Sequence, residues 1–72
     1  MDKEEKNKLK TLLTYWAEHN KEHAEEFKEW AEKAKTLGEA EIAENMLAAA
    51  QLMDKVNEPL SRAIKKLEGI GE

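Results

Sequence analysis

His19 and His23 stand four residues apart, the helical spacing that lets two imidazoles reach one metal ion. Imidazole suits nickel, cobalt, copper and zinc, and two such pairs, one from each of two chains, would supply four nitrogens. A divalent transition metal, with nickel, cobalt or zinc as the expected ions, is therefore the chemistry this pair points to. Asn20, between the histidines, and Asn57, much later in the chain, are weaker candidate ligands for the same ion. No cysteine is present to offer a thiolate ligand, a nucleophile or a disulfide.

The run from His19 to His23 also matches the H-x-x-E-H pattern of inverted zinc peptidases, in which the glutamate activates water. Those enzymes need a distant third ligand and a substrate cleft. Helical phase puts Glu22 on the solvent side here, so the expectation is a protein that is not an enzyme. A carboxylate-bridged di-iron bundle needs glutamate three residues before histidine, where this chain has Trp16 and Asn20. A haem held between histidines of two subunits needs small-residue space, which near His23 only Ala24 and Ala49 provide.

The elements that position these residues follow from an apolar rhythm in steps of four and three. One stripe reads Leu9, Leu13, Trp16, Asn20, His23, Phe27, Trp30, Ala34, Leu37, and a second reads Ile42, Met46, Ala49, Met53, Val56, Leu60, Ala63, Leu67, Ile70. This is the heptad spacing that keeps one side of a helix against a partner. The chain is thus expected to be all-α, a single domain over 1–72, with one helix over about 4–36, a turn at 37–39 and a second helix over about 40–68. Gly38 ends the first helix, and Gly69 and Gly71 mark the end of the second. Pro59 removes a backbone donor and is expected to kink the second helix near Asn57.

Folding at Gly38 gives an antiparallel helical hairpin in which the two stripes face one another. In that register Trp30 meets Ala49, Phe27 meets Met53, His23 meets Val56, Asn20 meets Leu60 and Trp16 meets Ala63. Leu12 and alanines 17, 24 and 31, with Ala43, Leu47, Ala50, Leu52 and Ile64, widen the apolar surface and invite a further helix. Two hairpins are therefore expected to pair as a homodimer, an antiparallel four-helix bundle. The polar layer of Asn20 and His23 then has two readings. It is a metal site, or it is a structural device of an adaptor module, with Asn20 and His23 bonded to each other, to the carbonyl freed by Pro59 or to water, setting register and oligomer state.

Charge narrows the partners. The chain carries a formal net charge of −4, which argues against nucleic acid, and no apolar run is long enough for a membrane span. The charged start from Asp2 to Lys6 lacks the apolar segment of a signal peptide, so a cytoplasmic location is expected. Carboxylates gather around the turn, making an acidic end where a protein partner could dock, whereas lysines gather at the open end.

Taken together, Trp16, His19, Asn20, His23, Phe27, Trp30, Ala31, Ala49, Ala50, Met53, Asn57 and Glu58 form a pattern. In it a tryptophan precedes a His-Asn…His element, then Phe-x-x-Trp-Ala, and later an Ala-Ala…Met…Asn-Glu stretch. The segment from Leu13 to Leu67 thereby resembles a small, poorly characterised helical-hairpin domain of anaerobic bacteria and archaea. The resemblance implies a histidine-bearing hairpin linked to metal handling and assigns no reaction. Pro59 departs from the uninterrupted second helix it implies.

Overall fold

The computed structural model describes residues 1–70, and Gly71 lies outside them. Among the described residues there are two helices, α1 (Lys3–Thr36) and α2 (Ala40–Glu68), and no strand. Neither helix is long and apolar enough to cross a membrane.

Both ends of α1 are built by local chemistry. The Asp2 carboxylate accepts the Glu5 N–H at 2.8 Å, satisfying one of the orphan donors of the first turn. Glu4 and Glu5 lie at the positive end of the helix dipole and Lys33 and Lys35 at the negative end. Gly38 adopts φ +84°, a left-handed conformation that costs a residue with a side chain dearly. It lets the Glu39 N–H donate back to the Ala34 carbonyl at 2.9 Å and the Gly38 N–H to the Lys35 carbonyl at 3.0 Å, the paired bonds of a Schellman end. The Glu39 carbonyl then accepts the Ala43 N–H at 3.0 Å, so α2 begins almost at once.

The second helix runs unbroken through Pro59. Lys55 and Pro59 are both exposed, so the hydrogen bond that proline removes lies on the water-facing side, where the freed carbonyl can be solvated.

The packing between the helices differs from the expected seam. The buried side chains are Leu13, Ala24 and Ala31 on α1, and Ala43, Ala50 and Leu67 on α2. Half-buried residues complete two stripes, Leu13, Ala17, Asn20, Ala24, Phe27, Ala31, Ala34 against Ala43, Met46, Ala50, Met53, Asn57, Leu60, Ile64, Leu67. The helices therefore meet through alanines, and the bulky stripe is left outside. Trp16 is 45% exposed, Trp30 57%, Leu37 71%, Ile42 51% and Val56 46%. The register moves with the seam, since Asn20 meets Asn57 rather than Leu60. The physical reason is closeness: small side chains let two helix backbones approach and gain contact along their whole length.

This packing sorts the remaining surface into two unlike sides. One carries the interhelical ion pairs Lys10–Glu68 at 3.0 Å and Lys28–Asp54 at 3.6 Å, and its outer rows are polar except for Ala40 and Leu47. The other side carries Leu9, Trp16, His23, Trp30 and Leu37 from α1 and Ile42, Ala49, Val56, Ala63 and Ile70 from α2, each set repeating every seven residues. The result is a flat rod, 55 × 15 × 10 Å, with a radius of gyration of 16.5 Å. A globular chain of this length would have a radius of about 11 Å.

Candidate functional site

Four polar side chains occupy the middle of the rod, and they form two separate pairs. Asn20 and Asn57 bridge the helices. The Asn20 Nδ2 donates to the Asn57 Oδ1 at 3.1 Å, and the Asn57 Nδ2 donates to the backbone carbonyl of Ala17 at 2.9 Å. That carbonyl has a second lone pair, so it can take the amide donor alongside its helical partner. Both asparagines are half-buried, and each spends its amide inside the seam. Asn20 was expected to bond His23, the carbonyl released by Pro59 or water, and it bonds Asn57 instead.

His23 is not enclosed between α1 and α2, as the expected register required. It is half-buried on the apolar face, one row outward from Asn20, and its partner is His19. The two Nε2 atoms lie 3.2 Å apart. One proton fits between them, so one ring donates and the other accepts. The rings meet edge to face, with centroids 4.4 Å apart. Tyr15 stacks on His19 at 5.6 Å, and Phe27 lies 6.0 Å from His23. Tyr15, His19, His23 and Phe27 thus make a continuous ladder of rings with four-residue spacing, which fixes the imidazole planes.

Tyr15 and Phe27, as neighbours that orient the histidines, escaped the reading of the sequence, although their spacing of four on either side was the available signal. The carbonyl of Ala17 left no signal in residue type at all. Among the described residues no group of three or more histidine, cysteine, aspartate or glutamate side chains converges as a metal would require. The histidine pair thus stands as two imidazoles with no third such side chain beside them, and Asn20 and Asn57 are committed to the bridge.

Residues 9–67 match the family described as "Domain of unknown function (DUF8180)". An uncharacterized protein of Archaeoglobus fulgidus is 42% identical over 57 residues, covering 79% of this chain and 90% of the relative. No solved structure matches the chain.

Proposed function

The chain belongs to the family of the DUF8180 domain of unknown function, and on that premise we propose that it is a non-enzymatic self-associating helical module. Two copies pair through the apolar face into an antiparallel four-helix bundle, and the Asn20–Asn57 bridge fixes the register of each hairpin.

The observation that carries this reading is the inverted distribution of bulk. Four of the six buried side chains are alanines, while both tryptophans, Ile42 and Val56 remain in water. A lone chain exposes 5665 Å². A compact monomer of 8.3 kDa would expose about 4,600 Å². A face of 55 × 15 Å amounts to about 800 Å² per copy, the size that a stable interface needs. A second copy fits it best because the same face is apolar along its length but for His23, flat, and as long as itself.

Charge selects how the copies stack. Residues 21–56, around the turn, hold nine carboxylates against five lysines, whereas the open end holds seven acidic and seven basic side chains. Stacking end over end puts the acidic end of one copy over the balanced end of the other and avoids setting carboxylates upon carboxylates.

Sedimentation equilibrium at micromolar concentration tests the reading. The expected mass is that of two chains, and the pair Trp30→Glu with Val56→Glu should abolish it by placing charges in the middle of the face. A folded monomer at these concentrations would overturn the proposal.

A further inference from the structure

We propose that two copies, paired end over end as above, bind one divalent cation of the zinc class through His19 and His23 of each copy. The inference rests on the self-association reading and adds a ligand to it.

The first support is the geometry of the pair within one chain. In a tetrahedral zinc site, Zn–N bonds of about 2.0–2.1 Å put neighbouring nitrogens roughly 3.3–3.4 Å apart. The same bonds at a right angle, as in square-planar or octahedral sites, would put them about 2.9 Å apart. The observed 3.2 Å between the Nε2 atoms lies close to the tetrahedral value. The two rings present the same nitrogen to each other at this distance, and a cation bound by both would replace the single proton they share. The Tyr15 and Phe27 rings flank the pair on either side along α1.

The second support is position. The midpoint of α1 (Lys3–Thr36) falls between His19 and Asn20. Two equal rods stacked end over end overlap fully only when the twofold axis crosses that midpoint. At 1.5 Å per residue, the axis then brings the two histidine pairs within about 5 Å of each other along the bundle. His23 lies on the paired face and His19 one row outward, and this twofold keeps both outer rows on the same flank. The two pairs therefore open onto one groove between the copies of α1. Stacking with like ends together would instead put α1 over the partner's α2 and separate the pairs across the bundle. The charge distribution that favours the first arrangement is independent of the histidines.

Zinc titration of the chelator-stripped full chain by calorimetry, alongside sedimentation equilibrium, tests the proposal. Saturation is expected at one zinc per two chains, with cobalt giving the visible absorption of a tetrahedral site. His19→Gln and His23→Gln should each weaken binding by at least about tenfold, the scale of losses seen even for outer-shell partners of metal ligands. Both histidines contribute nothing to the buried seam, so far-ultraviolet dichroism should report folded variants. A dimer that takes up no zinc overturns this inference and leaves self-association standing. A monomer that binds one zinc per chain overturns both, and binding that survives either glutamine variant overturns the assignment of ligands.

Discussion

Replacing Asn57 with alanine should cost about twice as much stability as replacing Asn20, although the two residues bond to each other. Asn57→Ala removes both the 3.1 Å bond from Asn20 and the 2.9 Å bond to the Ala17 carbonyl. Asn20→Ala removes only the first and leaves Asn57 anchored. Each bond is worth about 1 kcal/mol net, and in either variant a half-buried donor or acceptor left without its partner adds up to about 1 kcal/mol more. The expected losses are therefore roughly 2–3 kcal/mol for Asn57→Ala and about 1–2 kcal/mol for Asn20→Ala. In a domain of this size each kcal/mol moves the Tm by about 4–8 °C, so the two variants should be clearly separated. The double variant should lose little beyond Asn57→Ala alone, because the bond they share cannot be lost twice. Thermal and urea unfolding followed by circular dichroism, at one fixed protein concentration, measures all three. Equal costs for the single variants, or strict additivity in the double one, would refute the bridge as the structure draws it.

Further perturbations probe the seam and the turn. Ala24 is fully buried, and Ala24→Leu should lower stability by about 1–3 kcal/mol by forcing the helices apart, which urea unfolding would read. Gly38→Ala meets nothing within 4 Å, so its cost is conformational only: about 1–2 kcal/mol from the left-handed backbone, seen as a lower Tm with no change of mass. Asn20→Leu with Asn57→Leu should raise the Tm while allowing more than one register or oligomer, resolved as several species in sedimentation velocity, since apolar replacements remove a polar specificity element.

The helices and their break were legible because each rests on a local signal. Gly38 after a long periodic run, and the apolar steps of four and three on either side of it, both act within a few positions. The partner of each stripe was not legible. On α1 two neighbouring stripes keep the same alternation of four and three, and they share Leu13, Asn20, Phe27 and Ala34. Hydrophobicity favours the stripe with Trp16, His23 and Trp30 over the stripe with Ala17, Ala24 and Ala31. Periodicity says which sides of a helix avoid water, but it is silent on which partner covers each side. Asn20 was recognised as an interior polar residue, yet its partner depended on a register that moved with the seam. The nearness of His19 and His23 depended on spacing alone, and the structure sets their Nε2 atoms 3.2 Å apart.

The exchange of stripes bears on how the chain folds. An alanine contributes roughly one buried methyl, about 0.8 kcal/mol, whereas a fully buried large apolar side chain contributes about 1.5–3 kcal/mol. A hairpin closed mainly by Ala24, Ala31, Ala43 and Ala50 therefore gains close backbone packing but little burial for the entropy of ordering two long helices. The burial that could stabilise it lies in Trp16, Trp30, Ile42 and Val56, on the face that only another molecule can cover. Folding and association are then one transition on the self-association reading, and stability must depend on concentration. Helical dichroism at fixed temperature should fall on dilution, and the Tm should climb steadily with each tenfold rise in protein. A Tm that stays constant across a thousandfold range of concentration would mean that the alanine seam suffices by itself, and the exposed tryptophans would then need another explanation.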